Sequence, residues 1–316
     1  MAGTPIRIGT RGSALALAQA SWVAELLRQT SGRSAELVEV TTTGDVSRRS
    51  LATIGGTGVF ASALREGLLR GDYELAVHSC KDLPAVEPDG LTIAAVPTRA
   101  DPRDVLCSAS GLMLAELPAG ARVGTGSPRR AAQLTRRRSD LEIVDLRGNV
   151  DTRLGRVRSG DLDGVVLAAA GLERLGIAGR VTERLDLETW PTAPAQGAVA
   201  VESTPAHAEL AVGIDVPRDH LAVAAERAVL AGLGAGCAAP VAVASHWGDD
   251  LLELAVHVFA DRADADLQTR VQEHVGADAE AAAELGLHAA QWLLEHGAGA
   301  VIRRAQDARA KSARPA

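Results

Sequence analysis

Two rhythms of apolar and polar residues take turns along roughly the first 200 positions. Short aliphatic runs bounded by Gly, Pro or charge read as strands at Arg7–Thr10, Ala35–Thr42, Glu74–His78, Leu91–Val96, Arg122–Thr125, Leu141–Leu146, Gly164–Ala168 and Ala198–Glu202. Helical runs lie between them at Ala14–Gln29, Phe60–Leu69, Arg129–Arg138 and Asp151–Arg158. Such alternation predicts parallel α/β sheets. Breaks at Pro97–Arg103 and Pro191–Gln196 divide the pattern into two α/β lobes joined by two crossings, 1–97 with 192–216 and 98–191. A cleft is expected between the lobes, where ligands commonly sit. After Pro217 the pattern changes to a helix, Arg218–Leu230, a Gly-rich turn ending at Cys237, and strands at Val241–Ser245, Leu251–Phe259 and Leu267–Val275. An amphipathic helix, Ala279–Glu295, stops at Gly297. A small α+β domain over 217–305 and a disordered tail over 306–316 are expected.

Composition narrows the function. Of 316 residues, 47% are hydrophobic but only seven are aromatic (two Phe, four Trp, one Tyr), too few to stack a single-stranded nucleic acid. No charged-then-apolar leader precedes the first strand and no run of 18 apolar residues occurs, so a cytosolic protein without membrane association is expected. Cys80, Cys107 and Cys237 form no C-x-x-C pair, and the eight His lack H-x-x-x-H spacing, so neither disulfide nor metal is expected.

Charge is unevenly spread. The chain carries a net −7, yet Arg122–Arg158 holds 10 Arg against 4 Asp/Glu, a local +6 that leaves −13 for the rest. Arginines at Gly/Ser/Asn turns of an acidic protein point to a pocket for a small polyanion. Thr10-Arg11-Gly12-Ser13, Thr125-Gly126-Ser127-Pro128-Arg129 and Leu146-Arg147-Gly148-Asn149 each end a strand and open a helix. Ser13, Ser127 and Asn149 are suited to N-caps and Pro128 to a first helical position. Helix starts favour anions, so Arg11, Arg129, Arg130, Arg147 and Arg153 are expected to converge on the cleft. Arg136-Arg137-Arg138, late in its helix, is expected to complement the helix end and face solvent.

Only two lysines occur, Lys81 and Lys311. Lys81 precedes Asp82, a carboxylate that in a cationic pocket would stabilise a cation or shuttle a proton. Cys237 reads either as a small buried residue or as a thiolate reaching the cleft. Gly55–Phe60 reads as a hinge beside a mobile Thr43–Ser50, with Phe60 a platform for a flat ligand.

These motifs together resemble the porphobilinogen deaminase family: Ile8-Gly9-Thr10-Arg11 with Ser13 and Gln19, His78-Ser79-Cys80-Lys81-Asp82, Ser127–Arg130, Leu146–Arg153, Ala168–Leu172, Gln196-Gly197-Ala198 and Gly236-Cys237. The resemblance implies two periplasmic-binding-protein-like α/β lobes with a cleft, plus a small C-terminal α+β domain. It implies a monomeric transferase of tetrapyrrole (haem) biosynthesis. Such an enzyme condenses four porphobilinogen molecules head to tail, releases ammonia at each step, and frees a linear hydroxymethylbilane by hydrolysis. Its primer is a dipyrromethane cofactor, bound by thioether to Cys237. Asp82 is the implied catalytic group, stabilising the positive pyrrolenine left when ammonia departs. Lys81, Ser127, Arg129, Arg130, Arg147 and Arg153 are implied to hold the cofactor. Arg11, Ser13, Gln19, Phe60, Thr125 and Gln196 are implied on the substrate side. Departures include Cys80 for Met, Thr57 for Lys, Ala195 for Gly, and Gly126-Ser127-Pro128 for Ser-Ser-Leu; they bear on how Thr43–Gly58 closes over the site, and Cys80 adds a thiol open to oxidation. The rival from another class is a non-catalytic two-lobed anion-binding protein, which needs no Cys237. A Cys-dependent hydrolase needs a positioned His that spacing does not supply.

Overall fold

The computed structural model describes residues 4–41, 61–236 and 238–312. Cys237, Phe60 and the Thr43–Gly58 segment with its expected hinge lie outside the described residues.

The first lobe contains β1 (Ile6–Arg11), α1 (Ala14–Ser31), β2 (Ala35–Val40), α2 (Ser62–Arg70), β3 (Leu75–Ser79) and β4 (Thr92–Ala95). The chain then crosses to the second lobe: β5 (Asp104–Ser108), β6 (Arg122–Thr125), α3 (Pro128–Arg137), β7 (Glu142–Asp145), α4 (Val150–Arg158), β8 (Gly164–Ala168), α5 (Ala169–Arg174) and β9 (Glu183–Arg184). It returns as β10 (Val199–Ser203). The first sheet has the order β2-β1-β3-β10-β4 and the second β7-β6-β8-β5-β9. In each, three parallel strands are followed by one antiparallel strand, β10 or β5, next to a crossing. β10 is buried at every residue, which is why its sequence shows a continuous run rather than alternation. Its Val199 and Val201 join Ile6, Ile8, Leu75 and Val77 in the core of the first lobe.

The crossings touch. Ala100 N donates to Gly197 O at 3.3 Å, and a Cβ on Gly197 would stand 2.4 Å from Ala100 O, so only glycine permits this approach.

The third domain is α6 (Pro217–Gly232), an antiparallel sheet β11 (Val241–Trp247), β12 (Leu251–Val258) and β13 (Leu267–His274), then α7 (Ala279–Glu295) and α8 (Ala298–Ser312). β12 alternates half-buried and buried residues, the pattern of a sheet covered on one face. The helical backbone of α8 runs to Ser312, into the stretch expected to be a disordered tail.

Two strands escape the sequence pattern. β5 starts at an aspartate directly after the Pro-rich break, and β9 has only two residues. The expected solvent face of Arg136–Arg138 holds for Arg137, which is exposed, and is corrected for Arg136 and Arg138, which are half-buried. Arg136 Nε donates to Asp266 Oδ2 at 2.6 Å and its NH2 to Ala260 O at 2.6 Å, with the guanidinium 5.3 Å from the Phe259 ring centre. It therefore clamps the second lobe to the third domain. Arg137 donates to Thr189 O, and Arg138 to Leu114 O and Leu117 O. The end of α3 meets loops with free carbonyls there, and long arginines reach them. Among the described residues no helix is long and apolar enough to cross a membrane.

Candidate active site

The cleft is built on the three strand-to-helix turns. Ser13 Oγ accepts from Ala16 N at 3.3 Å, Ser127 Oγ from Arg130 N at 3.4 Å, and Asn149 Oδ1 from Thr152 N at 2.9 Å. All three predicted caps form, each worth about 1 kcal/mol to its helix, and Pro128 opens α3. Gly126 makes the second turn tight: a Cβ there would meet Leu146 O at 2.5 Å. This brings the Ser127 and Arg147 turns side by side.

On the first lobe a cavity of about 80 Å³ is lined by Arg11, Ser13, Ala61, His78, Ser79 and Asp82. Lys81 and Asp82 sit on one 3₁₀ turn at the end of β3, which delivers both to the cleft. Asp82 is exposed and Lys81 half-buried. Burial pushes the Lys81 ammonium down to about 8 against the pull of Asp82, and Arg130 and Arg129 add to the downward push. Burial also lowers Arg153, with Arg130 adding to it and Asp82 opposing. Groups on opposite lobes thus lie within electrostatic reach of one another. Arg153 Nε donates to Gly148 O at 2.8 Å, and Arg147 Nε stands 3.7 Å from Asp145 Oδ2.

Arg129 and Arg130 are 2% and 5% exposed. Arg129 donates to Asp104 Oδ2 at 2.8 Å and Pro191 O at 3.0 Å. Arg130 donates to Asp104 Oδ1 at 2.6 Å and Val166 O at 3.0 Å. Burial works to raise the Asp104 carboxyl, but the two guanidiniums outweigh it and hold it far below the usual carboxylate range. One carboxylate for two guanidiniums leaves the cluster a single positive charge. A carboxylate-bearing ligand matches that charge, so these residues fit the carboxylate-rich dipyrromethane group that the resemblance implies.

Several predicted residues serve the framework. Gln196 is fully buried, with Nε2 donating to Pro102 O at 2.7 Å and Asp104 Oδ1 at 2.8 Å. Gln19 is buried and pairs with Ser79, Nε2 to Oγ at 3.0 Å. Thr125 is buried, and its Oγ1 accepts from Ser127 N at 3.2 Å. Their amides and hydroxyl hold the walls of the cleft. Cys80 departs from the expectation of an oxidisable thiol: it is 1% exposed, and burial pushes it up to about 11, so it stays protonated and inaccessible.

Other groups gave no signal in sequence. Asp104 and Trp190, whose Nε1 donates to Asp104 Oδ2 at 2.9 Å, are 86 residues apart. Buried Glu202 pairs with Arg65 at 2.8 Å and stands 3.3 Å from His78 Nε2, behind the first-lobe cavity. Arg174 donates to Gly197 O at 2.7 Å and lies 5.7 Å from the Trp22 ring centre, bridging the lobes. Buried Glu226 of α6 accepts from Arg99 at 2.7 Å and Ala195 N at 2.5 Å, joining the third domain to both crossings.

Comparison with known proteins decides the family. Residues 6–211 match the model described as porphobilinogen deaminase, dipyromethane cofactor binding domain, and residues 220–295 match porphobilinogen deaminase, C-terminal domain. The chain belongs to the porphobilinogen deaminase family. The porphobilinogen deaminase of Thermobifida fusca is 47% identical over 99% of this chain and 100% of its own length. That of Cutibacterium acnes is 51% identical over 94% and 96%. Among solved structures, a periplasmic substrate-binding protein of an ABC transporter from Coxiella burnetii, 14% identical, overlaps 70% of this chain and 96% of its own with a TM-score of 0.40.

Proposed function

We propose that this family member condenses four porphobilinogen molecules into linear hydroxymethylbilane, with Asp82 as the catalytic group and Cys237 as the tether of a dipyrromethane primer. The reading carries with it a cytoplasmic monomer. The observation that supports it most is that Lys81 and Asp82 of one lobe lie within electrostatic reach of arginines of the other, Arg129 and Arg130 for Lys81 and Arg153 for Asp82. When bound, the dipyrromethane supplies the pyrrole carbon on which the chain grows. The protein's residues do the rest. Arg11 pairs with acetate and propionate groups of incoming pyrroles, and Arg147 and Arg153, on the cofactor side, take those of the chain growing on the primer and orient its rings. Arg129, Arg130 and Lys81 take the carboxylates of the primer. Asp82 sets a negative charge where the substrate pyrrole becomes cationic as ammonia leaves, which is electrostatic stabilisation of a developing charge. Ser13 and Ser127, whose oxygens accept cap bonds, each keep a hydroxyl proton to donate.

Intact mass of the purified protein tests the tether. The wild type carries the mass of two linked pyrroles, and Cys237→Ser does not; an unmodified, folded wild type from porphobilinogen-making cells overturns the reading. Asp82→Asn tests the catalytic assignment: it keeps the added mass and loses turnover by about a hundredfold or more. Near-normal turnover would remove Asp82 from that role.

A further inference from the structure

The charged cluster behind the cleft is organised around Asp104, which no sequence motif marks. We propose that Asp104 is a positioning residue of the reaction, holding Arg129 and Arg130 from the hinge between the lobes in the orientation that takes a pyrrole carboxylate. This rests on the reading above that the arginine pair binds such carboxylates.

Asp104 opens β5, directly after the first crossing, and has no solvent exposure. Its oxygens accept four donors from three segments. Oδ1 takes Arg130 NH2 at 2.6 Å and Gln196 Nε2 at 2.8 Å; Oδ2 takes Arg129 NH2 at 2.8 Å and Trp190 Nε1 at 2.9 Å. Trp190 and Gln196 flank the second crossing, and Gln196 also reaches Pro102 O of the first. Each guanidinium is pinned at a second point, Arg129 by Pro191 O and Arg130 by Val166 O, both at 3.0 Å. Two anchors fix a planar fork, so these arginines give up little freedom when a ligand arrives. The positive charge left over when one carboxylate faces two guanidiniums is what a ligand carboxylate balances. A second carboxylate in place of an arginine's spare charge would neutralise the cluster; none at all would leave the forks unaimed. The charge of Asp104 also reaches Lys81 across the cleft and supports its protonated form.

Asp104→Asn is the test, because it keeps the shape, removes the charge and turns one acceptor into a donor. In the variant, a smaller fraction of purified protein carries the two-pyrrole mass, and KM for porphobilinogen of the loaded fraction rises about tenfold or more. A readout independent of turnover comes from the lysine count. With only Lys81 and Lys311 in the chain, reductive ¹³C-methylation gives a simple NMR spectrum of two lysines and the N-terminal amine, in which the Lys81 signal is followed separately. Its midpoint moves to lower pH in Asp104→Asn because a supporting negative charge is lost, and rescue of loading and KM by Asp104→Glu, which restores the carboxylate, marks the loss as one of positioning. A folded variant with full loading, wild-type KM and an unmoved Lys81 midpoint overturns the proposal. If Asp104→Asn does not fold, Trp190→Phe removes one of the four donors and keeps an aromatic, though smaller, ring; KM then rises about threefold, and an unchanged KM and mass overturn the proposal. Arg130→Leu separates the two levels. If it loads and binds as wild type, the carboxylate-binding reading itself fails; if it is impaired while Asp104→Asn is not, only the role of Asp104 fails.

Discussion

Arg129 and Arg130 are buried, paired with Asp104 and pinned to backbone carbonyls, whereas Arg147 and Arg153 on the neighbouring turn are half-exposed and loosely held. Arg147 keeps 36% of its side chain in solvent and has one carboxylate at 3.7 Å. The first pair is a fixed anchor, with its ordering cost met during folding. The second pair is free to follow its ligand. A ligand that is tethered at one end and lengthens at the other needs both kinds: constant contacts for the part that stays and adjustable ones for the part that moves.

The comparison breaks most sharply at stability. Arg130→Leu strands Asp104 with half its compensating charge and is expected to cost about 3–5 kcal/mol in urea denaturation. Arg153→Leu is expected to cost less than about 1 kcal/mol. Similar costs for the two would erase the distinction between anchor and follower. Function inverts the order of clarity: Arg153→Leu folds and loads its primer, but mass spectrometry of reaction mixtures finds it stalled at partly elongated species. Normal progress through all four additions would take Arg153 off the track.

Acid sharpens the same contrast. The folded Asp104 carboxyl titrates far below its unfolded value, so its contribution is complete above about pH 4 and is lost as pH falls below that. Wild type therefore loses stability steeply as pH falls below about 4, the unfolded Asp value, and Asp104→Asn shows a shallower acid limb in urea midpoints. Equal slopes would mean that the anchor is not held by this carboxylate. The smallest effect concerns Ala195, beside Gln196, at φ 58°. Glycine relieves the left-handed strain but adds freedom to the unfolded chain, so Ala195→Gly gains less than about 1 kcal/mol. A loss instead would show that the Ala195 methyl, buried among Cys80, Val96 and Ala198, matters more than its backbone angle.

Most of the architecture was legible because it rests on local pattern: every helix expected in the described part of the lobes is present, and the three caps follow from single residues at strand ends. The site was legible where its residues come in contiguous motifs, such as Lys81-Asp82 and the arginine turns. It was not legible where function depends on distant pairing. Asp104 follows directly on a Pro- and charge-rich break, and nothing nearby reveals that donors 25, 26, 86 and 92 residues away converge on it. Arg136 was misjudged for the same reason, since its partner Asp266 lies 130 residues on in another domain. Gln196 stands in a motif that implies a substrate role, but its side chain is fully buried and its Nε2 is spent on Pro102 O and Asp104 Oδ1 at the crossings.

The strand order has a consequence for how the chain is made. The second lobe is continuous from β5 to β9, so its sheet has all its strands once residue 184 has left the ribosome. The first lobe, although synthesised first, cannot close: β10 must insert between β3 and β4, and it is not available until residue 203. The older half therefore waits with an open edge for the younger one, a non-local pairing of the kind that slows folding and exposes sheet edges in transit.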